Sequence, residues 1–260
     1  AGLAGSPVSF QVTGTAGAAT QLAVTGQPSN STSGAAIAPA VTVAVRDAAN
    51  NLVGSSTATV TATLQGTGGT LDGTVSVAAV GGVATFSNLR VTGTGSFTLQ
   101  FTSGSLTAAT STSFSVNAGA ATQLAVTAQP SNSTSGAAIA PAVTVAVRDG
   151  SNTLVSASTA TVTATLQGAG GTLGGTTSVA AAGGVATFSD LRVTGSGTFT
   201  LQFTSSGLTS ATSSSFTVTA GAATTIAAVT TMPPSATVGA AVTPLPRVRV
   251  TGAGNVPVAG

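Results

Sequence analysis

The chain reads as an all-β protein of two-sheet sandwiches joined end to end, and three observations predict it. Residues Gly17 to Ala118 and Gly119 to Ala220 are one 102-residue segment written twice without a gap, matching at about four positions in five. Within each copy Val, Leu, Ile and Phe recur at alternate positions, the period of a strand with one buried face. Seven such runs, separated by turn residues, fill each copy, which is the spacing of a sandwich of seven strands in about 100 residues.

The runs of the first copy are Gln21 to Thr25, Ala40 to Asp47, Thr57 to Gln65, Thr74 to Ala79, Val83 to Val91, Ser96 to Thr102 and Thr107 to Val116. Val41, Val43 and Val45 share one face, as do Phe97, Leu99 and Phe101. Gly81 and Gly82 predict a tight hairpin link, and Thr92 to Gly95 a second Gly-containing turn. The spacing Phe86, Leu89, Val91 slips by one and predicts a bulge or bend. No window carries a helical stripe.

A third copy opens at Gly221 with GAATTIAAV. Ser6 to Val12 (SPVSFQV) read like the end of a unit, because STSFSV (Ser111 to Val116) and SSSFTV (Ser213 to Val218) close the two full copies. The expected domains are 1–16 as the last strand of a preceding sandwich, 17–118 and 119–220 as complete ones, and 221–260 as the first part of a third, diverged one. The chain is thus expected to be a window on a longer array. Pro233, Pro234, Pro244 and Pro246 predict edge-like early strands in the third copy. The junctions VNAGAATQ (Val116 to Gln123) and VTAGAATT (from Val218) hold no flexible linker, which predicts a semi-rigid string in which each domain meets mainly its neighbours.

Charged residues are 4% of the chain, six Arg against four Asp, with a net charge of +2. So weak a field does not call for a nucleic-acid partner, and no aromatic residues are interleaved with Arg46, Arg90, Arg148 and Arg192. Mean hydropathy of +0.50 argues against disorder. No apolar run approaches the roughly 20 residues of a membrane helix, so no membrane insertion is expected in this segment. The absence of Cys leaves the compartment open, while small, uncharged, Thr- and Ser-rich strands favour the cell exterior.

AVTVAVRDAANNLV (Ala40 to Val53), AVTVAVRDGSNTLV (Ala142 to Val155) and RVRVTGAGNVPVAG (Arg247 to Gly260) resemble the strand-and-turn signature of bacterial Ig-like repeats. GVATFSNLRV (Gly82 to Val91) and GVATFSDLRV (Gly184 to Val193) are similar to the later part of that domain. The family occurs in invasin- and intimin-like surface proteins and other large bacterial adhesins. The resemblance implies tandem seven-stranded Ig-like β-sandwiches that serve mostly as spacers.

The usual proton carriers and nucleophiles His, Glu, Lys, Cys and Tyr are all missing, so no enzyme, catalytic residue, cofactor or metal site is expected. Asp47 and its copy Asp149 have two readings, a cap on their own turn or one ligand of a Ca²⁺ site at a junction. Ca²⁺ wants several carboxylates and none lies nearby in sequence, which favours the cap. Asp72, opposite Gly174 in the other copy, and Asp190, opposite Asn88, read as surface drift. Arg46 and Arg148 are placed to pair with the adjacent aspartate or a neighbouring domain, and Arg90 and Arg192 read as solvated edge residues. Asn30-Ser31-Thr32 and Asn132-Ser133-Thr134 match the N-glycosylation pattern, a short and common one. Without Lys or Cys, isopeptide, disulfide and thioester staples are excluded, leaving apolar burial and backbone ladders to hold the fold.

Three functions follow. The first is a structural spacer whose partners are neighbouring repeats of the same chain. The second is a subunit of an extracellular filament or sheath, with other copies as lateral partners. The third is a sugar- or receptor-binding module, disfavoured because Trp and Tyr, the usual sugar platforms, are absent.

Overall fold

The computed structural model describes residues 14–230, 235, 237–239, 241, 245, 247–252, 257 and 258. The strand expected at Ser6 to Val12 and the prolines Pro233, Pro234, Pro244 and Pro246 lie outside the described residues. The chain divides into two compact units, Ala1–Ala118 and Gly119–Gly260. Among the described residues there is no helix.

The described residues of the first unit hold eleven strand segments: β1 (Ala19–Gly26), β2 (Ser31–Thr32), β3 (Val41–Asp47), β4 (Thr59–Gln65), β5 (Gly69–Asp72), β6 (Ser76–Ala78), β7 (Val83–Phe86), β8 (Arg90–Gly93), β9 (Gly95–Thr102), β10 (Ala109–Thr110) and β11 (Phe114–Asn117). One sheet has the order β1-β3-β7 and the other β2-β11-β9-β4-β6, with β10 on β9. A separate ribbon pairs β5 with β8. This is a two-sheet, Ig-like sandwich. The second unit repeats these strands 102 residues later, from β12 (Ala121–Ala128) to β22 (Phe216–Thr219). Its sheets have the same order.

Alternation explains the core. Val41, Val43 and Val45 of β3 and Phe97, Leu99 and Phe101 of β9 turn to the space between the sheets and are essentially inaccessible. Phe86 from one sheet meets Phe101 from the other at a ring separation of 5.3 Å, the tilted contact that aromatic quadrupoles prefer. Phe97 and Phe114 sit 6.2 Å apart at a second level.

The two copies differ at nineteen positions, and none of these is buried in either unit. All seventeen residues of the first buried cluster recur unchanged in the second. Packing at near-crystalline density makes a core sensitive to single methylenes, whereas surface positions tolerate exchange.

The structure corrects three expectations. The run Val83 to Val91 is not one bent strand: β7 pairs β3, then the chain crosses Ser87–Leu89 and β8 pairs β5. The slipped apolar spacing marks that change of sheet. Gly81 and Gly82, both at positive φ, do make a tight turn with Val80 and Val83 bonded both ways, but β6 and β7 leave it for opposite sheets. Thr92 to Gly95 is not a reversal. Here β8 runs almost directly into β9, and Gly93 (φ +119°) lets the backbone press against the Gly68 carbonyl where a Cβ would collide.

The third copy contributes β23 (Ala223–Ala228) and β24 (Val248–Gly252), an antiparallel pair. Every residue of β23 is exposed.

Candidate functional site

The most highly constructed polar feature in each complete unit is the turn after β3. A period of two puts Asp47 on the same side as Val45, so the residue is only 4% exposed. A buried carboxylate needs donors, and four supply them. Its Oδ2 accepts from Gly17 N at 2.8 Å and Asn51 Nδ2 at 3.1 Å. Its Oδ1 accepts from Ala49 N at 3.0 Å and Asn51 N at 2.8 Å. The Asp47 backbone carbonyl takes Gln21 Nε2 at 2.9 Å. These bonds, Gly17 N–H foremost and then the Asn51 amide, hold the Asp47 carboxyl below its ordinary value of 3.8 against the opposing effect of burial.

Asp149 is built the same way, accepting from Gly119 N at 2.8 Å, Ser151 N at 2.9 Å and Thr153 N at 2.8 Å. In both turns the carboxylate oxygens accept from N–H groups, the arrangement of a turn cap. Among the described residues no group of three or more His, Cys, Asp or Glu is placed to hold a metal. The residue that sequence reasoning missed is Gly17, thirty positions upstream of Asp47. Only its recurrence at the start of each copy hinted at it.

The arginines beside these turns do not pair with the carboxylates as expected. Consecutive strand residues point to opposite faces, and Arg46 Nη1 instead donates to Asn50 O at 2.6 Å, as Arg148 Nη1 does to Asn152 O at 2.7 Å. Among the described residues Asn50 and Asn152 are the non-glycine residues at positive φ, 67° and 63°, a conformation Asn tolerates well.

Arg90 is exposed but does not lie on an edge. It is on β8, opposite Asp72 of β5 and bridged on the other side by Ala36. Asn88 and Asp190 are also more than drift. Asn88 Oδ1 accepts from Thr74 N at 2.9 Å, and Asp190 Oδ1 from Thr176 N at 2.8 Å, closing equivalent turns. The Thr176 backbone and hydroxyl bonds, and after them the charge of Arg192, lower the Asp190 pKa. Each unit therefore keeps one carboxylate near the equivalent arginine, Asp72 by Arg90 in one and Asp190 by Arg192 in the other. Each complete unit is neutral, and the net +2 belongs to Arg247 and Arg249.

The second polar system binds the first strands of a unit to its last. Leu22 N donates to Thr107 O and Thr107 N to Thr20 O, both at 2.9 Å. Thr112 N donates to Gln27 Oε1 at 2.9 Å and Ser115 N to Asn30 Oδ1 at 2.7 Å. β2 then pairs β11 in parallel, Ser31 with Val116 and Thr32 with Asn117, and Ser33 N donates to Asn117 O at 2.7 Å. The glycosylation-like triplet Asn30-Ser31-Thr32 is thus part of this ladder, beside an open groove of about 450 Å³ lined also by Ala35, Ala36 and Asn117. Asn132-Ser133-Thr134 stands equivalently in the second unit.

No family model matches the chain, and no curated protein matches it. Among solved structures it is similar to FdeC, an adhesin of Escherichia coli, at 18% identity and a TM-score of 0.37, covering 96% of this chain and 79% of that one. InvD of Yersinia pseudotuberculosis is similar at 18% identity and a TM-score of 0.36, covering 92% and 71%. A β-glycosidase of Bacteroides vulgatus is similar at 12% identity and a TM-score of 0.30, over 78% of this chain but only 25% of the enzyme.

Proposed function

We propose that this chain is a spacer segment of a bacterial surface or secreted protein, a run of Ig-like sandwiches that sets the distance between other parts. The observation that carries the reading is the distribution of the nineteen differences between copies, none of them at a buried position. What the duplication preserves is a fold. The supporting chemistry is negative in kind: the buried aspartates turn their carboxylates to N–H groups, and His, Glu, Lys, Cys and Tyr, with which a Ser or Thr nucleophile is usually activated, are missing from the sequence. A charge-poor surface rich in Ser and Thr suits the exterior of a cell.

Electron microscopy of the full chain beside a variant lacking residues 119–220 tests this. The expected result is single, unpaired particles that shorten by roughly 35–45 Å, the span of one sandwich whose strands run to eight residues together with its end loops. Equal particle lengths sink the spacer reading. Regular fibres with side-by-side sandwiches would replace it with the filament reading, in which other copies are the partners.

A further inference from the structure

In both complete units the segment by which the chain enters, β1 through β2 or its copy, is bonded along the segment by which it leaves, Thr107 through β11 or its copy, and the two run the same way. Followed forward, Thr20 and Leu22 bond Thr107, Gln27 bonds Thr112, Asn30 bonds Ser115, Ser31 and Thr32 pair with Val116 and Asn117, and Ser33 bonds Asn117. The second unit repeats the series: Thr122 and Leu124 bond Thr209, Gln129 bonds Ser214, Asn132 bonds Thr217, and Ser135 bonds Thr219. The order never reverses.

Parallel pairing puts the entry end of the first strand and the exit end of the last at opposite ends of the ladder. Tension applied through the chain at both ends of a unit then slides one strand along the other, and the bonds must yield together. An antiparallel terminal pair would bring entry and exit to the same end, where bonds open one after another. Two of the ladder's acceptors are side-chain amides, Gln27 and Asn30, which take the backbone N–H groups of Thr112 and Ser115. The Asp47 bond to Gly17 holds the entry point at the far side of β1.

We propose that each unit is a tension-bearing element in which the parallel ladder, and within it Gln27 and Asn30 with their counterparts Gln129 and Asn132, sets the force at which the unit opens. This rests on the spacer reading but has a separate readout, force instead of length. Forced unfolding is governed by the unfolding rate, not by equilibrium stability alone. Bonds placed across the pulling direction should therefore count for more than equally stabilising groups elsewhere.

The test is single-molecule stretching of the full chain held at its two ends. Two events are expected, each releasing roughly 340–370 Å of chain at 3.3–3.6 Å per residue. Asn30→Ala with Asn132→Ala should speed unfolding at fixed force by about threefold to tenfold, the weight of one hydrogen bond. Gln27→Ala with Gln129→Ala, at exposed positions, provides a second pair should the first fold poorly. Val60→Ala with Val162→Ala destabilises through the core, away from the ladder. The proposal holds if the amide variants speed forced unfolding more than the valine variants do for the same loss of equilibrium stability. Equal or smaller acceleration overturns it, and leaves the particle lengths measured by microscopy untouched.

Discussion

The ends of β3 and β24 share the same pairing and finish on different residues. Leu22 faces Val45 and Ala19 faces Asp47 in the first unit, while in the third copy Ile226 faces Val250 and Ala223 faces Gly252. Glycine therefore stands in the aspartate's register. A Cβ at Gly252 would lie 2.6 Å from the Gly221 carbonyl and 2.9 Å from that of Ala222, whereas the first unit turns the Gly17 N–H toward Asp47. The contrast separates two jobs. Alternating apolar residues are enough to set which strand pairs with which and in what register. The carboxylate adds something else, the attachment of the first residue of a unit to the end of its third strand.

The largest effect expected from disturbing that division is on the apolar side. Phe101→Ala should cost the first unit about 3–5 kcal/mol, the usual loss for emptying a buried aromatic site, since Phe101 is fully buried against Phe86. Denaturant unfolding followed by residue-resolved probes should show the second unit's transition unmoved. Next comes Asp47→Ala, which leaves four donors without their acceptor. Hydrogen exchange at the Gly17, Ala49 and Asn51 amides should accelerate while exchange in β9 stays slow; protection unchanged at Gly17 would contradict the attachment.

A smaller effect should follow pH. Because hydrogen bonds depress the Asp47 pKa in the folded state, its contribution is complete above the ordinary value of 3.8 and is lost as pH falls through the lower, folded value. Stability of the first unit should thus be flat above about pH 5 and decline in acid, and Asp47→Ala should shrink that decline. Denaturation midpoints between neutral and acidic pH measure both. The smallest effect belongs to the exchange of Asn88→Asp and Asp190→Asn. Either side chain closes the turn, so neutral-pH stability should not change measurably, while part of the acid dependence moves from the second unit to the first. A large loss at neutral pH from either substitution would mean the two residues are not equivalent.

The strands legible in the sequence that bury alternate residues are β3, β4, β7, β9 and β11, while β1 and β6 are legible from alternation alone. β2 and β5 are not, because Ser31–Thr32 carries no apolar side chain and Gly69–Asp72 only Leu71. Their positions come from partners distant in sequence, β11 and β8. The division of Val83 to Val91 between two sheets was visible only as a slipped period, which a bulge explains equally well. The turn role of Asp47 was legible from local Asx chemistry, since three of its four donors lie within four residues. Its hold on Gly17 was not, and neither was the ladder from Thr20 to Asn117, because a parallel pairing across a whole unit leaves no local mark.

The unchanged set of seventeen buried residues has a consequence for how such a chain can grow. A crossover between the two coding copies at any matching position joins the start of one unit to the end of the other, and the hybrid contains the same interior as either parent. No buried side chain meets a new neighbour. Copy number can therefore rise or fall by whole units without any intermediate that must refold around an altered core, so what recombination changes in this chain is its length.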